Sequence, residues 1–305
     1  MQVHNRSVLL HHLAHASRYC QHVASSSSPP LLRRQLGAEL RKLRAQRTVA
    51  EVAGELGWSP SKLSRIETAT IGINSADLER LLAEYGVGDK ERSRLLALRG
   101  QARQRAWWEV YGDALPDAYE TLIGFEAEAA TISTYEAQVV PGLLQTDDYA
   151  KAVTLSDGVY DDPEIIGQRV TVRMARQAVL TREPPPQLWA ILDEAVLRRP
   201  IGGPDVLRRQ LMRLLEAIER PTVTIQVLPF QVGAHRALAG SFIILEFADI
   251  ASHPLVYCEG MTGGVFRAKP EELRSYLTSF EALREAALSA ERSAELINAL
   301  AQQNR

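Results

Sequence analysis

Between residues 48 and 66 the chain reads TVAEVAGELGWSPSKLSRI, and this stretch restricts its folding more than any other. Thr48 followed by Glu51 is a capping box: the hydroxyl accepts a backbone N–H while the carboxylate reaches back to the cap residue. Val52, Ala53 and Leu56 then carry a helix as far as Gly57, which supplies the positive-φ position at which a helix can turn out. Ser59 caps the next helix, and Pro60 fits its first position, where a missing N–H removes nothing. Counted from Val49, the small Ala53, the turning Gly57 and the inward Leu63 and Ile66 stand at the fifth, ninth, fifteenth and eighteenth places of a helix-turn-helix. Such a corner holds the second helix proud of the first, the geometry by which its N-terminal half enters a major groove.

The neighbouring pattern extends this unit. Leu36, Leu40 and Leu43 share one face of a preceding helix that begins near Leu32, with Arg33, Arg34, Arg41, Lys42 and Arg44 elsewhere on it. Asn74 or Ser75 caps a fourth helix bearing Leu78, Leu81 and Leu82, closed by Gly86. A fifth, from Asp89 to about Arg105, carries Leu95, Leu96 and Leu98. Residues 31–105 hold 15 Lys/Arg against 9 Asp/Glu, whereas the 200 residues that follow hold 18 against 28, so a basic module precedes an acidic one. A basic module of this size attracts polyanions. Ser61, Lys62 and Arg65 are the candidate base contacts, with phosphate the alternative for both cations. Thr48, Ser59, Ser64, Arg41, Arg44 and Ser75 are the candidate phosphate contacts, the helix starts contributing through their exposed N–H groups. Glu67 is assigned a structural pairing with Arg44 or Lys42.

Residues 1–30 combine five of the seven histidines with SSSSPP and lack a periodic apolar face, so they read as a disordered tail. His11, His15 and Cys20 have no second ligand pair at zinc-site spacing, and no metal or cofactor is expected. Residues 106–305 read as an α+β domain with a small mixed sheet. Helical spacing covers Tyr119 to Tyr135, Asp147 to Leu155, Pro163 to Leu180 and Pro204 to Ile218. The runs Leu188 to Leu192 and Val223 to Val227 read as strands joined by a crossover helix and therefore parallel. SFIILEF and LVYCE read as an antiparallel pair, and two helices, Pro270 to Ala287 and Ala290 to Gln302, close the chain.

TVAEVAGELGWSPSKLSRIETA resembles the XRE/Cro-C1 type helix-turn-helix. Together with WWEVYGDALPDAYETLIGFEAEA, ISTYEAQVVPGLLQTDDYAKAV, LDEAVLRRPIGGPDVLRRQLMRLLEA, VTIQVLPF, GSFIILEF and PEELRSYLTSFEALREAALSAERS, it is similar to actinobacterial regulators that join this head to an uncharacterised C-terminal α/β domain. The resemblance spans about Leu32 to Leu300. It implies a five-helix, lambda-repressor-like head and a DNA-binding transcriptional regulator, antitoxin-like in some members, whose C-terminal domain meets a small partner protein. Two departures stand out: Val49 occupies a place where many members have Gln, and the link RAQRT is about two residues short and lacks the usual Gly.

For the second domain, Tyr135, Pro141, Leu143, Leu144 and Tyr149 are the candidate effector or partner residues; ordinary inter-helix packing is the alternative. Arg173 and Arg176 are expected to pair with surface acids. The sequence carries no P-loop, no dinucleotide-binding glycine pattern and no HExxH, so no catalysis is expected. An active site would require Asp193 and His235 to meet at one cavity, near Glu194 and Glu259. A cytoplasmic homodimer on double-stranded DNA is expected, with no membrane span. Two other readings stay open: an antitoxin-like member of a toxin–antitoxin-type pair that mainly binds protein, and a small-molecule enzyme fused to a DNA-binding head.

Overall fold

A computed structural model describes residues 28–69, 71–102, 107–156, 158, 162–248, 253–261 and 263–303. Of the expected tail, residues 28–30 are described and are not disordered: Ser28 is the buried cap residue of the first helix, and Pro29 and Pro30 open it. The His11, His15 and Cys20 grouping lies outside the described residues. The chain divides into two compact units, one of which spans Ser25–Glu109 while the other includes Val110–Arg305.

In the first unit the described helices are α1 (Pro29–Arg44), α2 (Val49–Leu56), α3 (Pro60–Glu67), α4 (Ser75–Glu84) and α5 (Asp89–Gln101). Their spacing follows from one core: Leu40, Val52, Ala53, Leu63, Leu78, Leu81, Leu82 and Leu95 are each fully buried. Burial of a Leu or Val side chain stabilises by about 1.5–3 kcal/mol, so this cluster outweighs the weak intrinsic stability of helices only eight residues long. Helix α1 reaches α3 by close backbone approach at Gly37, where a Cβ would lie 2.6 Å from the Glu67 carbonyl oxygen. The short link after α1 forces Ala45 to φ +52°, a conformation glycine adopts far more readily.

The second unit contains a six-stranded mixed sheet of order β3-β2-β1-β4-β5-β6. Helix α6 (Asp117–Glu126) leads into β1 (Ala129–Glu136), followed by α7 (Asp147–Ser156) and α8 (Pro163–Arg176). Strand β2 (Gln187–Asp193) precedes the short α9 (Glu194–Arg198), α10 (Pro204–Ile218) and β3 (Val223–Leu228). Then come β4 (Phe242–Phe247), β5 (Leu255–Gly260), β6 (Gly263–Arg267), α11 (Pro270–Ala286) and α12 (Ala290–Gln303). The crossover from β2 to β3 is parallel, with Ala190 opposite Ile225, and β4 and β5 are antiparallel, with Ile243 opposite Tyr257, both as the sequence indicates.

Three elements differ from the sequence reading. The helix expected from Tyr119 to Tyr135 stops at Glu126, and Ala129–Glu136 is instead a central strand, parallel to β2 and antiparallel to β4. Both faces of β1 are covered: Ile132, Tyr135, Thr134 and Ser133 are all buried. A strand buried on both sides loses the polar and apolar alternation that marks a half-buried one. Strand β6, beginning with Gly263 and Gly264, was also missed, since glycine is depleted from strands. Helix α8 ends at Arg176 and continues only as a 3₁₀ segment, Gln177–Thr181.

One sheet face packs Tyr135, Ile191, Phe242, Ile244 and Val256 against Leu273, Phe280 and Leu283 of α11. The outer edge of β3 is closed by the start of α12 and the turn before it: Leu288 N–H donates to the Val227 carbonyl, and Ser293 Oγ accepts the Val227 N–H. At Val227 the edge is therefore occupied and does not offer its backbone groups to another strand. No described helix is long and apolar enough to cross a membrane.

Candidate nucleic-acid interface

The corner between α2 and α3 has the local chemistry its sequence requires. Thr48 Oγ1 accepts the Glu51 N–H at 3.2 Å, and a Glu51 carboxylate oxygen accepts the Thr48 N–H at 2.7 Å. The Thr48 backbone N–H, and after it the Thr48 hydroxyl, favour the ionised form and hold the Glu51 carboxyl below its ordinary range. Gly57 sits at φ +69°, and Trp58 N–H returns to the Ala53 carbonyl at 2.7 Å. Ser59 Oγ then accepts the Lys62 N–H at 3.2 Å, with Pro60 in the first turn of α3.

Leu63 and Ile66 point into the core, which turns the other side of α3 outward. Ser61, Ser64 and Arg65 are exposed on that side, and the Lys62 side chain is 36% exposed. Thr48, Ser59 and Ser75 are exposed at the starts of α2, α3 and α4, and Arg41 is exposed in the last turn of α1. These residues therefore present hydroxyls, cations and helix N-termini to solvent on one small domain.

Arg44 is different, and its assignment to phosphate is corrected. Its guanidinium makes a two-pronged contact with Glu67, at 2.7 and 3.1 Å, and donates to the Arg47 carbonyl; the side chains of Arg44 and Glu67 are only 14% and 4% exposed. The Glu67 hydrogen bond raises the Arg44 pKa above its ordinary value. A guanidinium held between a buried carboxylate and a carbonyl ties α1 to α3 and is not presented to a duplex. The structural pairing assigned to Glu67 is therefore the one with Arg44, while Lys42 pairs with Glu39 at 2.9 Å.

Several residues that sequence reasoning passed over complete the site. Lys62 Nζ lies 2.8 Å from Asp77 Oδ2 and 4.1 Å from the centre of the Trp58 ring. Asn74, the cap of α4, donates to the same Asp77 oxygen at 2.9 Å. Arg80 stands 5.9 Å from the Trp58 ring and donates to the Leu56 carbonyl at 2.7 Å. Arg47 bridges Glu55 and Glu84. Asp77 at the third position after a cap was the available signal; its cross-helix partner had none. A cleft of about 390 Å³, lined by Arg33, Ile73, Asn74, Arg99 and Glu109, opens beside the start of α4.

In the second unit the candidate effector residues are packing residues. Tyr135, Leu143, Leu144 and Tyr149 are at most 3% exposed, and Pro141 is buried with them. The segment turns inward because its polar atoms are satisfied there: Tyr149 OH accepts the Val140 N–H, Gln145 donates to the Val140 carbonyl, and Gln210 donates to the Leu144 carbonyl. Arg173 donates to Gln145. Arg176 does pair with an acid, but a buried one: its Nε is 2.8 Å from Glu126 Oε2, with both side chains at most 5% exposed. Burial pushes the Glu126 carboxyl up to about 7, and burial pushes Glu136 up to about 8 despite hydrogen bonds from Thr134 and Ser241.

Asp193 and His235 each approach one hydroxyl, that of Tyr135. Tyr135 OH lies 3.5 Å from both Asp193 Oδ2 and His235 Nε2, at the carboxyl ends of β1 and β2, where open α/β sheets hold ligands. His235 Nδ1 accepts the Ala237 N–H, which leaves Nε2 to donate toward Tyr135, and Asp193 Oδ1 caps α9 through the Ala195 N–H. Glu194 is turned aside to the Phe230 N–H and Arg198.

Residues 35–95 match a family described as a helix-turn-helix domain. Residues 119–299 match a family described as a domain of unknown function, DUF5753. No curated protein and no solved structure matches the chain.

Proposed function

The chain belongs to the DUF5753 family, with a helix-turn-helix domain ahead of that region, and from this premise we propose that it is a sequence-specific DNA-binding transcriptional regulator. Helix α3 enters the major groove with Ser61, Lys62 and Arg65 toward base edges, while Thr48, Ser59, Ser64, Ser75 and Arg41 meet phosphates. The observation that carries this reading is the outward face of α3, whose hydroxyls and cations stand opposite the buried Leu63 and Ile66 on a module of net charge +6. Such heads gain affinity as dimers on inverted repeats with half-sites about 34–36 Å apart, and the proposal includes a cytoplasmic homodimer of this kind.

The acidic C-terminal domain is the sensing or partner-binding part and has no catalytic role in this reading. An antitoxin-like variant of it assigns the same domain mainly to a small partner protein. A second reading, a ligand or reaction site in that domain, is favoured by one observation, the meeting of His235, Asp193 and Tyr135 at the strand ends. Sequencing the DNA crosslinked to the full-length chain in its host tests the main reading: it predicts discrete peaks sharing a two-fold motif, and a profile matching the uncrosslinked control would refute it. Proteins and metabolites recovered with the same chain separate the roles of the second domain.

A further inference from the structure

Two cations stand on the outward side of α3, and their surroundings differ. Arg65 is exposed. Lys62 is fixed from two directions, by Asp77 of α4 at 2.8 Å and by the face of Trp58 at 4.1 Å, and its side chain is 36% exposed against 17% for Asp77. The carboxylate is itself held in place. Asn74 donates to its Oδ2, and the Asp77 N–H donates back to Asn74 Oδ1 at 2.8 Å, so the cap of α4 sets where the lysine's partner stands. Backbone geometry sets the other end, since Ser59 Oγ holds the Lys62 N–H at the start of α3. The consequence is an ammonium with one donor committed and its position defined, on the helix that meets DNA.

A long flexible lysine takes any phosphate within reach, which strengthens binding to every sequence. A lysine held by a carboxylate and a ring must either leave that partner or find an acceptor that fits where it already stands. We propose that Asp77 is a specificity-determining positioning residue, which acts through Lys62 to withhold the ammonium from random duplex and reserve it for a base-edge acceptor. The inference rests on the reading of α3 as the recognition helix.

The test uses the full-length chain, a duplex selected by the wild-type chain from a random-sequence pool, and a scrambled duplex of equal length. Asp77→Asn keeps the size and the Asn74 contact but removes the charge. It is expected to tighten binding to scrambled duplex about two- to fivefold, the range set by a surface ion pair, and to lower the selected-to-scrambled ratio. It is also expected to steepen the salt dependence on scrambled duplex by up to about 0.9, the increment of one added phosphate contact. In a Lys62→Ala background the same change is expected to do nothing to the ratio. Glu79→Gln, on the same helix and 48% exposed beside Arg92, supplies the same change of charge without touching Lys62. If Asp77→Asn and Glu79→Gln act alike, or if the effect of Asp77→Asn persists without Lys62, the positioning role is wrong while the recognition helix stands. If the wild-type chain selects no duplex at all, both fall together. Thermal unfolding of each variant separates these outcomes from misfolding, and Asp77→Glu, which restores the charge, is expected to recover most of the ratio.

Discussion

Replacing Gly37 and Gly54 by alanine separates helix propensity from helix packing within one domain. Both glycines lie inside helices, α1 and α2, and in isolation each change gains about 1 kcal/mol of helix propensity. A Cβ at Gly54 meets nothing within 4 Å, so that gain survives. A Cβ at Gly37 falls 2.6 Å from the Glu67 carbonyl oxygen and 2.9 Å from that of Ile66, against an ordinary contact of 3.4–4 Å. Both are backbone atoms of α3, so no side-chain rotation relieves them, and overpacking of this kind costs about 1–3 kcal/mol. The expected result is a stabilisation of up to about 1 kcal/mol for Gly54→Ala and a net loss of up to about 2 kcal/mol for Gly37→Ala. Hydrogen exchange of the full-length chain, read on peptides from 31–67, gives the opening free energy of this unit directly. A gain in protection for Gly37→Ala comparable to that for Gly54→Ala would refute the close approach of α1 and α3, and with it the placement of α3.

Ala45→Gly relieves a φ of +52° in the short link after α1, and chemical denaturation is expected to show about 1 kcal/mol more stability; a loss would contradict the strain. Burial pushes the Glu126 and Glu136 carboxyls up to about 7 and 8 in the folded chain, from an ordinary value near 4.5. The folded state therefore binds their protons more tightly, so their contribution is greatest below about pH 4.5 and is lost as pH rises through 7 and 8. From about pH 4.5 up to its folded value each group lowers stability by about 1 kcal/mol per pH unit, and above that value it adds no further slope. Denaturation of the C-terminal unit across this range is expected to flatten in Glu136→Gln, and an unchanged slope would exclude the assignment. Lys62→Ala is expected to relax base preference by about 1–3 kcal/mol, whereas Arg41→Ala weakens selected and scrambled duplex alike and flattens the salt slope by up to about one; equal losses for both variants would remove Lys62 from base reading.

Local chemistry made the N-terminal unit legible. Thr48 with Glu51, Gly57, and Ser59 with Pro60 each specify a helix end through atoms within a few residues, and the structure has each end where those atoms require it. Helix α10 was equally clear, because Leu207, Leu211 and Leu214 all face one core. What the sequence hid depends on distant partners. Strand β1 is covered on both faces and so carries no alternation. The buried Pro141 to Leu144 segment reads as an apolar loop until Gln145 and Gln210 are seen to satisfy its carbonyls. For Arg44 the sequence offers both a phosphate and a pairing with Glu67, 23 residues on, and the two-pronged bond to Glu67 decides between them by turning the guanidinium inward. The Lys62–Asp77 pair spans 15 residues and two helices, and no local pattern announces it.

The most direct test is an anisotropy titration of the duplex that the wild-type chain selects, made with the wild-type chain and with a Ser61→Ala, Lys62→Ala, Arg65→Ala variant of unchanged melting temperature. The account predicts that the variant binds the selected duplex no better than a scrambled one. Undiminished discrimination by the variant would place sequence reading somewhere other than α3.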